Sequence, residues 1–129
     1  MRIFLVDDDE IFNTLHDAVI RLTLPNADIQ VFKTGNEILQ YIRDVGDGFL
    51  APQLLFLDIR MPDMNGFEFL ELVETEFPEQ LVQTKIYMLS STLNDKDLKR
   101  ANENKMVVEF ISKPLLHDKF LEIFQATLN

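Results

Sequence analysis

Five polar side chains sit where they could do chemistry together: Asp7, Asp8, Asp58, Ser90 and Lys113. Each follows a short apolar stretch, IFLV before Asp7 and Asp8, LLFL before Asp58, IYML before Ser90 and VVEFI before Ser112 and Lys113. Such a stretch, closed by turn residues, reads as a buried strand. An open parallel sheet binds its ligands at the carboxyl ends of its strands. A carboxylate placed there is a ligand, a nucleophile or a capping group, and its neighbours decide which. Three carboxylates close together repel, and one takes up a proton unless a cation neutralises them. A hard divalent cation with oxygen ligands resolves that conflict, and the lack of His and Cys nearby favours Mg²⁺ over zinc. Lys113 adds a positive point charge and Ser90 a hydroxyl donor. The set suits a phosphoryl group carried on an aspartate, with Asp58 as nucleophile and the phosphoryl oxygens held by metal, ammonium and hydroxyl.

Each residue also has a plainer role available. An acidic run after a strand often caps a helix, Asp58 could cap a turn, a single lysine usually lies on the surface and a single serine in a turn. Those roles leave unexplained why the residues fall at four strand ends in this order.

The elements that must position them follow from the apolar pattern. Residues 2–7 form a first strand burying Ile3, Phe4, Leu5 and Val6. Asp9 is placed to cap a helix whose apolar stripe is Ile11, Leu15, Ala18, Val19 and Leu22, stopped by Pro25 and Asn26. A strand at 29–32 leads through Thr34, Gly35 and Asn36 into a helix carrying Ile38, Leu39 and Ile42, and a loop spans Gly46, Asp47, Gly48 and Pro52. The strand ending at Asp58 is followed by Pro62, Gly66 and a helix over 67–77 with Phe67, Leu70, Val73 and Phe77 on one face. A fourth strand covers 85–89, and Asn94 or Asp95 caps a more polar helix. A fifth strand covers 107–111, and a last helix carries Leu116, Phe120, Ile123, Phe124 and Leu128. Strand and helix alternate five times, which predicts an α/β fold, a doubly wound parallel sheet covered on both faces.

With 129 residues, 47% of them hydrophobic, the chain suits one domain over 1–129 with one core. The absence of cysteine excludes disulfides and thiolate metal sites. The amino terminus has neither the charge pattern of a signal peptide nor the length of a membrane span, so a cytoplasmic location is expected. A net charge of −10 offers no cluster of Lys and Arg for gripping phosphates, so direct nucleic-acid binding is not expected.

FLVDDDE, LLFLDIRMPDMNG, YMLSS and FISKP, in that order and spacing, resemble the receiver domain of two-component response regulators over essentially the whole chain. The resemblance implies a CheY-like, flavodoxin-like fold of five strands in the order 2-1-3-4-5 with five helices. It implies that Asp58 accepts a phosphoryl group from a sensor histidine kinase or a histidine phosphotransfer protein. Asp8 would bind Mg²⁺ directly, Asp7 through a water, and the backbone carbonyl of Arg60 would complete the protein's ligands. Ser90 would be the switch hydroxyl, Phe110 the aromatic switch, and Lys113 the contact to the phosphoryl group, with a cis bond to Pro114. Phosphorylation would then reshape the face formed by the fourth helix, fifth strand and fifth helix and so control a downstream partner protein. Three features depart from the commonest pattern: Ser rather than Thr at 90, Phe rather than Tyr at 110, and no Gly-Ala turn before the fifth strand.

The competing chemistry is a Mg²⁺-dependent phosphohydrolase with an aspartyl-phosphate intermediate, resembling the haloacid dehalogenase family. Such enzymes place a second Asp two residues after the nucleophile, where this chain has Arg60. A receiver that no longer phosphorylates is a third reading, and the complete set of five residues argues against it. His16 is expected on the surface of the first helix or partly packed, His117 in solvent, and Phe69 and Leu72 in the core. Leu116, Leu121 and Phe110 are candidates for a partner patch.

Overall fold

The computed structural model describes residues 1–92 and 94–128. Its elements are β1 (Arg2–Val6), α1 (Glu10–Thr23), β2 (Asp28–Phe32), α2 (Gly35–Val45), a 3₁₀ turn at Gly46–Gly48, β3 (Leu54–Asp58), α3 (Gly66–Glu76), β4 (Lys85–Ser90), α4 (Asp95–Glu103), β5 (Val107–Ser112) and α5 (His117–Leu128). All strand pairs are parallel, in the order β2-β1-β3-β4-β5. The loop expected around Gly46 therefore contains one short helical turn, where Gly46 adopts φ +64°, a conformation glycine takes without steric cost.

Side chains alternate across the sheet with a period of two. Phe4 and Val6 of β1, Leu55 and Leu57 of β3, and Ile86 and Met88 of β4 pack with Ile38 and Ile42 of α2 and Phe67, Leu70 and Val73 of α3. Ile3 and Leu5, Leu54 and Phe56, Tyr87 and Leu89 face the other way, onto Ile20 of α1 and Phe120 and Ile123 of α5. Both faces are covered, so the central strands are apolar throughout.

Side-chain caps set where the helices start. Asp9 accepts from Ile11 N–H, Thr34 from Glu37 N–H, and Asn94 from Lys96 and Asp97 N–H. Asn65 and Glu68 form a reciprocal capping box that opens α3. Gly66 follows, with its N–H donating to Ile59 O at 2.8 Å. A Cβ at Gly66 would lie 3.1 Å from Asp58 O and 2.7 Å from Met88 Cε, so this close approach of α3 to the end of β3 requires glycine.

Two expectations fail in the helices. The apolar stripe assigned to the core side of α1 points largely outward: Ile11 is 78% exposed and Leu22 68%, with Leu15 and Ala18 also exposed. The buried face of α1 is instead Asn13, His16 and Ile20. On α5, Leu116 precedes the helix and is exposed, as is Leu128, and Phe120 and Ile123 do the packing. Phe69 and Leu72 pack as expected, and His117 is exposed, bonded to Thr23 across the α1–α5 contact.

Candidate functional site

The same alternation that sorts the core sorts the polar strand ends. Asp7 continues the Ile3–Leu5 series of β1, Asp58 the Leu54–Phe56 series of β3, and Lys113 follows Ile111 by two. All three therefore emerge on the α1–α5 side of the sheet's carboxyl edge. Lys113 Nζ lies 2.6 Å from Asp7 Oδ2 and 3.1 Å from Asp58 Oδ1, and the three side chains are buried. Asp8 is exposed beside them, and Asp7, Asp8 and Asp58 each offer a carboxylate oxygen within 4.8 Å of the others. A cluster with only oxygen donors, one member open to solvent, fits a hard divalent cation such as Mg²⁺.

Hydrogen bonds hold these groups in place. Asp7 Oδ1 accepts from Asp9 N–H at 2.9 Å, and its backbone carbonyl accepts from Asn13 Nδ2 at 2.8 Å. Asp58 Oδ1 accepts from Arg60 N–H at 3.3 Å. The Lys113–Pro114 bond is cis, and Lys113 N–H donates to Ser90 O at 2.8 Å. Burial, then the nearby Asp7 charge, pushes the Asp58 carboxyl up to about 6, against the opposing pull of Lys113. One ammonium shared by two buried carboxylates does not neutralise both when they are ionised, so the cluster keeps net negative charge.

Ser90 and Phe110 leave the sheet on the opposite side, toward α3 and α4, as the Met88–Phe110 and Ser90–Ser112 register requires. The Ser90 hydroxyl donates to Thr92 O at 2.9 Å and accepts from Thr92 N–H at 3.1 Å. It is thus engaged with the loop entering α4. Phe110 is 8% exposed and packs inward, which removes it from any surface patch with Leu116 and Leu121 in this conformation. The Arg60 guanidinium reaches away from Asp58 to pair with Asp97 of α4 at 2.7 Å.

Three contributing residues escaped the sequence reading, and a fourth, His16, was expected on the surface or partly packed. Asn13 supports Asp7, and Asp97 engages Arg60. Phe12 lies beside the ammonium of Lys113, 4.6 Å from ring centroid to Nζ. His16 is fully buried, not on the helix surface, and burial pushes its imidazole down to about 4, so it is neutral at physiological pH. An Asn or His within an amphipathic pattern carries no local signal of this kind, because its partners lie on other elements.

A family model described as the response regulator receiver domain matches residues 3–125. A two-component response regulator from Cytophaga hutchinsonii superposes with a TM-score of 0.89 at 29% identity, covering 99% of this chain and 96% of that one. One from Legionella pneumophila gives 0.83 at 25% identity, covering 99% and 98%. The probable methanogenesis regulatory protein FilR2 of Methanothrix harundinacea is 32% identical over 88 residues, 67% of this chain and 55% of that protein. The chain spans between 29% and 55% of the length of the first curated relatives it matches.

Proposed function

The chain belongs to the response regulator receiver family of two-component signalling, and from that premise we propose that Asp58 is its phosphoacceptor. Receivers take phosphoryl groups from histidine kinases or phosphotransfer proteins. In this reading an Asp58 oxygen attacks the phosphorus of a phosphohistidine whose other ring nitrogen is protonated, an acyl phosphate bond forms, the P–N bond breaks with its electron pair going to nitrogen, and the ring leaves as neutral imidazole. The observation that carries the reading is the buried Asp7–Lys113–Asp58 bridge beside Asp8. Lys113 is placed to exchange a carboxylate for a phosphoryl oxygen. Asp7, Asp8 and Asp58, with the Arg60 carbonyl, would hold Mg²⁺, which supplies charge neutralisation for the transferring group.

The proposed switch uses Ser90 and Phe110. A phosphoryl group on Asp58 offers the Ser90 hydroxyl a stronger, charged acceptor than Thr92 O. Leaving Thr92 loosens the entry to α4, and Phe110 repacks behind Ser90, reshaping the α4–β5–α5 face for a partner protein. We propose a cytoplasmic activity whose switched face contacts protein and not nucleic acid, since a net charge of −10 offers this domain no clustered Lys and Arg for phosphates. No described helix is long and apolar enough to cross a membrane.

The phosphohydrolase alternative needs a general acid at position 60, and the residue there is an arginine occupied with Asp97. Intact mass after incubation with acetyl phosphate tests the proposal. Wild type with Mg²⁺ gains one phosphoryl group, and Asp58→Asn or wild type in EDTA gains none. Equal labelling of Asp58→Asn would refute it.

A further inference from the structure

The most deeply buried ionisable ring among the described residues has no part in the proposed phosphoryl chemistry. His16 is 1% exposed, and its Nε2 accepts a hydrogen bond from Leu115 N–H at 3.0 Å. An accepting Nε2 requires the tautomer with its proton on Nδ1. One turn earlier on α1, Phe12 stacks on the imidazole with centroids 5.7 Å apart, and the Phe12 ring lies 4.6 Å from Lys113 Nζ. Residues four apart on a helix present to the same surface. Here that surface is the segment from Ser112 to Leu115.

Ser112 is held in β5 and the Leu115 side chain is buried in the core, but the backbone between them has few hydrogen-bond anchors. Lys113 N–H is anchored to Ser90 O, and Pro114 has no N–H. The next backbone donor is Leu115, and His16 takes it. The two anchors bracket the residue whose ammonium sits between Asp7 and Asp58. We infer that His16 is a positioning residue: its Nε2 holds the Leu115 peptide, and with Phe12 against the ammonium it fixes where Lys113 presents its charge to a phosphoryl group. The inference rests on the proposed role of Lys113 and adds a residue from α1 to it. A buried polar ring on this face is accounted for by the acceptor it supplies. Misplacing a charged group by about 1 Å can cost up to a hundredfold in rate.

The test compares wild type with His16→Phe, which keeps a ring but removes the acceptor, and His16→Gln, which can still accept. Ile20→Ala, on the same buried face of α1, serves as a control for loss of packing. Beryllofluoride, a phosphoryl mimic, is titrated in saturating Mg²⁺, and Mg²⁺ is titrated alone. The expected result is that His16→Phe weakens beryllofluoride binding about tenfold with Mg²⁺ affinity unchanged and that His16→Gln recovers most of the loss. Ile20→Ala leaves beryllofluoride binding intact while lowering Tm. Wild-type beryllofluoride affinity in His16→Phe, or an equal loss in Ile20→Ala, overturns the inference. A wild type that binds no beryllofluoride counts against the phosphoacceptor proposal instead. The positioning claim is then decided in the free protein by NMR: a scalar coupling between Leu115 N and His16 Nε2, with a shifted Lys113 Nζ signal in His16→Phe, supports it, and absence of the coupling overturns it.

Discussion

Lys113 holds two buried carboxylates at once, and removing it leaves both without their cation. Breaking a buried charge pair by deleting one partner costs about 3 kcal/mol, so Lys113→Met is expected to lose stability of that order at neutral pH. The loss shrinks in acid as Asp58 takes up a proton, which urea melts at two pH values would show. Asp58 itself carries a pH signature. Its folded-state carboxyl is pushed up to about 6 from an ordinary 3.8. Between those values the folded state binds more protons than the unfolded chain, so this group's contribution to stability falls as pH rises and is fully lost above the window. Asp58→Asn is therefore expected to be more stable than wild type at neutral pH without divalent cation. Thermal melts should show that advantage fading as pH is lowered through 6 toward 4; an advantage independent of pH would contradict the account. His16 acts in the opposite sense. Pushed down to about 4 from 6.5, it favours the folded state at higher pH, and that stability is lost as pH falls through the interval. Asp7, Asp8, Asp58 and Lys113 were legible in the sequence because each lies within two residues of the end of an apolar run. His16 was not, because its partner lies 99 residues away.

At the scale of elements, the strands were legible to within a residue or so, since buried parallel strands are written as apolar runs between turn residues. The orientation of α1 was not. Ile11, Leu15, Ala18 and Leu22 have helical spacing, and periodicity alone assigns them to the core. The sheet edge instead receives Asn13 and His16, whose hydrogen bonds to Asp7 and Leu115 decide which face turns in. The outward stripe begins two residues after Asp9, at the same sheet edge as Asp58. That position is the reason to test the stripe as a contact for a phosphodonor protein. Ile11→Lys with Leu15→Glu is expected to slow transfer from a phosphorylated histidine protein at least severalfold. Labelling by acetyl phosphate should be untouched and stability should change by about 0.5 kcal/mol or less. Equal slowing with both donors would show that the stripe serves the fold or the chemistry, not the encounter. The Arg60–Asp97 pair joins the loop after Asp58 to the first turn of α4. Asp97→Asn weakens that tie, and faster amide exchange confined to α4 is the expected consequence.

For the whole molecule, two apolar layers cover the sheet, and its carboxyl edge is left to concentrated negative charge. A ligand that binds only the folded chain stabilises it in proportion to the logarithm of its concentration. Mg²⁺ is expected to raise Tm, EDTA to reverse the rise, and Asp8→Asn to blunt it. The proposed phosphoacceptor is one carboxylate at the carboxyl edge, Asp58. Borohydride reduction of the acetyl-phosphate-treated protein, followed by peptide mass mapping, addresses it most directly, because an aspartyl phosphate is reduced to homoserine. Homoserine is expected at position 58 and at no other aspartate. Homoserine elsewhere, or a stable phosphoryl adduct on His16 or His117, would contradict it.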